Sequence, residues 1–177
     1  VGSIAIEYDF DPEDDLSGGE NRTLSSRCQL VAVVRSSTNA GSVTGKKDYA
    51  GGIVGRMDVG AAYLCESYGS VSSTDGSYVG GIAGQTHSVV RKCFSKCSLS
   101  GGSYVGGIIG SGTEDSRVEQ CGSLVRVTDC EQYGGAVSGS EDGAFAGNLF
   151  VSDELAGLGR VSYAGKAEPV SYAQLLE

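Results

Sequence analysis

Proline, histidine and basic charge are all scarce in this chain. Two prolines beside 29 glycines in 177 residues exclude a proline-rich disordered tract and a collagen-like repeat, both of which need far more proline. Lys and Arg number 13 against 22 Asp and Glu, a net charge of -9. That balance argues against nucleic acid and against an anionic membrane surface, since both require a basic stripe to neutralise phosphates. No apolar run reaches the roughly 20 residues of a membrane span, so direct membrane insertion is not expected. Neither an initiator Met nor a charged-then-apolar leader precedes Val1, which reads as a start inside a longer chain. The length suits one domain with a real interior.

What the chain has instead is one phrase written several times. Tyr49-Ala50-Gly51-Gly52-Ile53-Val54-Gly55 returns from Tyr78 to Gly84 and from Tyr104 to Gly110, and a degraded copy runs from Tyr133 to Gly139. Taking the first glycine of each pair as 51, 80, 106 and 134, the spacings are 29, 26 and 28 residues. A near-fixed period in this range marks a stacked repeat, in which each unit buries its apolar side against its neighbours.

Alignment on Cys65, Cys93 and Cys121 puts Ala62, Val90 and Val118 three residues earlier and Val71, Leu99 and Val127 six residues later. With Ile53, Ile82 and Ile108 these rows form structural ladders. Each unit then holds three apolar segments of 4 to 6 residues bounded by Gly, Ser, Asp or Asn, too short for helices and suited to strands. The expected fold is all-β: a parallel β-helix of about four coils, three short strands per coil, with length differences absorbed in polar loops such as 110–116. Residues 1–35 are assigned to an N-terminal cap, 36–150 to the coils and 151–177 to an irregular closing segment, all in one domain. In the cap, Ile4, Ile6, Tyr8 and Phe10 alternate with polar or small residues as a half-buried strand does. Ser171 with Gln174 three residues on is a candidate helix-capping box.

Six cysteines could form a disulfide framework. The in-register row argues for reduced, buried thiols instead, because three members of one ladder cannot all pair and parallel side chains point the same way. Cys93 and Cys97, about 13 Å apart on an extended strand, cannot bond. Zinc is disfavoured because His87 is the single histidine and no second close cysteine pair exists. His87 also lacks a nucleophile-elbow pattern, so it reads as a solvated loop residue and no catalytic residue is assigned. The glycine phrases lack phosphate-loop spacing and are explained by close packing of backbone.

Two features bear on ligands. Asp9, Asp11, Glu13 and Asp15 alternate, with Glu20 twelfth from Asp9, in a loose calcium-loop arrangement, although Asp14 stands where the loop's glycine belongs. The alternative is a solvated acidic loop, and no other cofactor is expected. The second feature is the row Tyr49, Tyr78 and Tyr104. Facing solvent, these rings would offer flat surfaces to sugars or a partner protein; facing inward, they are core. The inward reading is the plainer one, though strand parity alone does not decide it.

The pattern Val-Gly-Gly-Ile-Ala-Gly (79–84), Val-Val-Arg-Lys-Cys-Phe-Ser (89–95) and Cys-Ser-Leu-Ser-Gly (97–101) resembles the GLUG-motif repeats of large bacterial surface and secreted proteins, including some immunoglobulin A peptidases. The resemblance covers roughly residues 40–150. The fourth copy departs from it, with Leu149 near the place of a cysteine. It implies a non-catalytic extracellular β-solenoid that spaces or presents other domains of the same chain, or that adheres to host glycans or glycoproteins. Two further expectations stay open: an ancillary domain positioning substrate for an exported peptidase, and a polysaccharide-active β-helix enzyme. The second would need carboxylates clustered on one face, and here they do not recur at one repeat position.

Overall fold

A computed structural model describes residues 2–4 and 32–176. The chain is a parallel β-solenoid of about four coils, opened by a short strand β1 (Ser3–Ile4). The first coil comprises β2 (Val33–Arg35), β3 (Thr38–Asn39), β4 (Val43–Gly45) and β5 (Ala50–Gly51). The second comprises β6 (Val54–Met57), β7 (Ala61–Tyr63), β8 (Glu66–Ser73) and β9 (Val79–Gly80). The third comprises β10 (Ala83–Thr86), β11 (Val89–Arg91) and β12 (Phe94–Gly106), and the fourth β13 (Ile109–Ser111), β14 (Arg117–Glu119), β15 (Gly122–Ser123) and β16 (Arg126–Gly135). A shortened turn closes the stack with β17 (Ala144–Ala146), β18 (Asn148–Phe150), β19 (Ala167–Pro169) and a four-residue helix α1 (Tyr172–Leu175).

Equivalent strands of successive coils pair in parallel and make three faces: β1-β6-β10-β13, then β2-β7-β11-β14-β17, then the large face running from β3 to β19. The rows are in register. Val34, Ala62, Val90, Val118 and Phe145 face one another across the second sheet, and Val43, Val71, Leu99 and Val127 across the third. Ile53, Ile82 and Ile108 are buried at the corner that enters the first face. Branched apolar residues recur at these positions because a parallel in-register ladder stacks each side chain on its equivalent, so every inward row must be apolar or self-satisfied.

Several details differ from the sequence reading. The third segment is far longer than 4 to 6 residues: β12 runs for 13 and β16 for 10, joining the Leu99 segment to the next glycine phrase. It travels out and back as a limb with its own apolar filling of Ala50, Val71, Val79, Cys97, Leu99 and Val105, separate from the main core. Among the described residues no strand stacks beyond the limb of the fourth coil, where β16 pairs with β12 alone, and Val127 is half-buried. The glycine phase also slips in the fourth copy. Val105 pairs with Gly134 and Gly106 with Gly135, so the structural equivalent of the first glycine is Gly135, not Gly134, and Ala136 takes the second place. Val33–Arg35, assigned to the cap, forms a full rung of the second face, while β1 adds to the first face beside β6. The rest of the cap, with the alternating strand beyond Ile4, lies outside the described residues.

The glycine phrase is fixed by close approach. A side-chain carbon at Gly81 would overlap Ser95 Oγ and the Gly107 carbonyl oxygen, and at Gly52 it would overlap Ser67 Oγ and the Gly81 carbonyl. Ser67, Ser95 and Ser123, two residues after each ladder cysteine and wholly buried, thus pack on the α-carbons of the glycines. The expected insertion loop is where it was placed: Ala83 pairs with Ile109 but Val89 with Arg117, which puts the fourth coil's two extra residues between Ile109 and Arg117. Ser171 caps α1 in a full capping box with Gln174.

Candidate functional site

At each corner between the third face and the next glycine pair the backbone turns through a positive φ: 70° at Tyr49, 63° at Tyr78, 56° at Tyr104 and 62° at Tyr133. Such a turn costs a non-glycine residue roughly 1–2 kcal/mol, and it swings the side chain out of the strand alternation. The tyrosines therefore stand on the outside, half-exposed, and Tyr133 is 45% exposed. The inward reading is set aside. The reason is the left-handed corner, which strand parity cannot register.

The rings form one continuous column. Centroids lie 5.2 Å apart for Tyr49–Tyr78, 5.1 Å for Tyr78–Tyr104 and 4.7 Å for Tyr104–Tyr133, with interplanar angles of 21°, 4° and 13°. Stacking at this spacing spends the ring faces on one another. The column thus presents edges and hydroxyls along its length, which corrects the expectation of a flat ring surface at Tyr49, Tyr78 and Tyr104. Burial raises the Tyr78 phenol above its ordinary value, and the flanking Tyr104 and Tyr49 add to it.

The two ends of the column differ. At Tyr49 the Arg56 guanidinium lies 5.4 Å from the ring centroid, held by Asp58 Oδ1 at 2.8 Å. The Asp58 hydrogen bond and charge raise the Arg56 pKa. His87 belongs to this surface group, its Nε2 3.8 Å from the same Asp58 oxygen, so the histidine sits beside a carboxylate on a half-exposed loop. At Tyr133 the described residues place a ring on one side only. There a depression of about 350 Å³ is lined by Tyr104, Tyr133, Ser140, Glu141, Asp142 and Arg160. A second, of about 500 Å³, follows the free edge of β16 past Asp129, Cys130, Glu131 and Leu155. Both are bordered by Tyr133 and Arg160, so they adjoin at that ring. Tyr133 was legible as part of the degraded fourth phrase, and its terminal place in the column follows from that phrase being the last.

The ladder cysteines Cys65, Cys93 and Cys121 are buried free thiols. Each sulfur lies between two carbonyls, one two residues earlier and one on the coil before it: Cys65 at 3.4 Å from both Tyr63 and Val34, Cys93 at 3.4 Å from Arg91 and 3.6 Å from Ala62, and Cys121 at 3.3 Å from Glu119 and 3.8 Å from Val90. Burial raises the Cys65 thiol and pushes Cys121 well above the usual thiol range. Cys97 is buried against Ser67, and Cys130 is half-exposed in the open limb. In the closing turn the cysteine position is taken by Asn148, not Leu149, since Gly122 pairs with Leu149.

The proposed calcium ligands Asp9, Asp11, Glu13, Asp15 and Glu20 lie outside the described residues. Among the described residues no three His, Cys, Asp or Glu side chains come together as a metal site, and no helix is long and apolar enough to cross a membrane. The fold and the column together define the class of the molecule: a parallel β-solenoid with an aromatic ladder along one outer corner. No protein-family model, curated protein or solved structure matches the chain.

Proposed function

We propose that this chain is a non-catalytic extracellular β-solenoid module of the GLUG-repeat kind, a stiff spacer that presents other domains of a larger bacterial surface or secreted protein. The observation that carries this reading is the contrast between inside and outside. The inward rows repeat the same chemistry from coil to coil, whereas the residue facing outward in the second face changes from Arg35 to Tyr63 to Arg91 to Glu119. A chain that keeps its stacking rows and varies its surface is built to be extended by the coil, each adding about 4.8 Å of rod.

An adhesive role is the second reading, favoured by the outward tyrosine column and its open end at Tyr133. One assay separates the possibilities: incubate the purified domain with immobilised mucin glycoprotein and a polysaccharide panel, scoring retention and new reducing ends together. Retention without cleavage supports adhesion, and neither signal supports a spacer. Cleavage would contradict the proposal and point to a polysaccharide-active enzyme.

A further inference from the structure

We propose that the end of the tyrosine column is a carbohydrate site, built on Tyr133, Arg160, Glu141 and Asp142 and selective for neutral sugars. The proposal rests on the adhesive reading and narrows it to one place and one ligand class.

The aromatic component is confined to Tyr133. Sugars bind aromatic residues through the apolar C–H face of the pyranose laid on a ring face. Tyr78 and Tyr104 each have a ring on both sides, and Tyr49 is covered by Tyr78 and Arg56. Tyr133 has Tyr104 on one side, at 4.7 Å, and is 45% exposed. Its ring is also fixed in orientation, by that stack and by the left-handed backbone at φ 62°. A ring already held in place loses little further freedom when a ligand lands on it.

The polar component surrounds the same ring. The Arg160 guanidinium offers a fork of donors, and the Glu141 and Asp142 carboxylates offer acceptors, all lining the 350 Å³ depression. This set matches vicinal sugar hydroxyls, which both donate and accept. Tyr163 Oη donates to Glu141 Oε2 at 3.4 Å, a contact that restrains that carboxylate. The volume lies at the lower end of the roughly 300–1,000 Å³ typical of small-molecule sites. The adjoining 500 Å³ depression along β16 gives room for a second sugar unit beyond the first.

Charge sets the selectivity. The lining of the two depressions carries four acidic residues, Asp129, Glu131, Glu141 and Asp142, against one basic residue, Arg160. A sialic acid carboxylate or a sugar sulfate would enter a field of its own sign. An organic cation would meet Arg160 and only one open ring, where cation recognition uses a cage of several.

The test titrates the purified domain against an array of neutral, sialylated and sulfated oligosaccharides, with choline as a separate competitor. The variants are Tyr133→Ala, Tyr133→Phe and Arg160→Gln, each checked for unchanged melting. Neutral oligosaccharides should be retained, with affinity falling about tenfold in Tyr133→Ala and staying within about threefold in Tyr133→Phe, because the ring face is kept. Arg160→Gln should weaken binding to neutral sugars. Retention of neutral sugars that Tyr133→Ala leaves unchanged would overturn this site while leaving the adhesive reading standing. Preference for anionic sugars, or displacement by choline, would overturn the ligand class. A blank array would remove both the site and the adhesive reading and leave the spacer.

Discussion

Asn148 sits in the row of Cys121 and ends the cysteine ladder. Its Oδ1 accepts the Cys121 backbone N–H at 3.0 Å, and its Nδ2 donates to the carbonyls of Val118 at 2.8 Å and Lys166 at 2.9 Å. A thiol has one weak donor; an amide supplies two donors and an acceptor, so this one side chain ties the last full coil to the closing segment. Asn148 is fully buried, and Asn148→Ala would take the side-chain partner from the buried Cys121 N–H and Val118 carbonyl, while the Lys166 carbonyl would still accept from the backbone N–H of residue 148. A loss of about 1–3 kcal/mol is expected, read as a lowered denaturation midpoint. An unchanged midpoint would mean that the closing turn does not depend on this side chain.

The centre of the limb ladder should tolerate charge least. Leu99 is fully buried between Val71 and Val127, and Leu99→Asp loses roughly 1.5–3 kcal/mol of burial while adding an unpaired charge. The domain should fail to fold. Glu114→Ala, on the exposed insertion loop, should melt within about half a kcal/mol of the parent. Equal behaviour of the two variants would refute the register.

The glycine rows make opposite predictions at neighbouring sites. Gly81→Ala must push into Ser95 Oγ and the Gly107 carbonyl, and since backbone cannot retreat inside the stack, about 3 kcal/mol should be lost. Gly134 stands in the row of Ala50, Val79 and Val105, and a side-chain carbon there meets nothing nearer than Cys130 Sγ at 3.5 Å. Gly134→Ala should stabilise by roughly 0.4–1 kcal/mol, chiefly by restricting the unfolded chain. Thermal melts of the pair decide the point through their opposite signs.

Alkaline pH should unfold the stack from its thiols. Burial holds the Cys65 and Cys121 thiols above their ordinary value in the fold, so the unfolded chain releases these protons first. Their stabilisation is complete below the unfolded thiol pKa of about 8.5 and is lost as pH rises toward the folded value. Stability measured by denaturant between pH 7 and 10 should fall, and Cys121→Ala should flatten that fall. A slope unchanged by Cys121→Ala would assign the alkaline loss to other groups.

The coil period and the inward rows were legible because a parallel in-register stack repeats its apolar chemistry at one spacing. Where the backbone leaves that regularity, the sequence was silent. The outward turn of Tyr78 depends on a positive φ that no alternation pattern encodes. The phase slip at Gly134 and Gly135 was hidden because two adjacent glycines align equally well either way, and only pairing with Val105 and Gly106 separates them. The limb was missed because β12 runs without a break through Gly101 and Gly102, residues that read as a turn between two strands. Tyr133 was visible as a residue but not as a site, since its open side follows from the absence of a tyrosine in the next turn.

The most direct test of the stacked architecture labels its outer corner. Lys92 and Gln120 are exposed, carry matching left-handed backbones at φ 52° and 55°, and follow directly on the paired residues Arg91 and Glu119. In a chain with Cys28 and Cys130 replaced by Ser, cysteines at 92 and 120 would each carry a pyrene, with a 92 and 126 pair as control. In-register coils about 4.8 Å apart predict strong excimer emission for 92 with 120 and monomer emission for 92 with 126. Monomer emission from both pairs would contradict the solenoid.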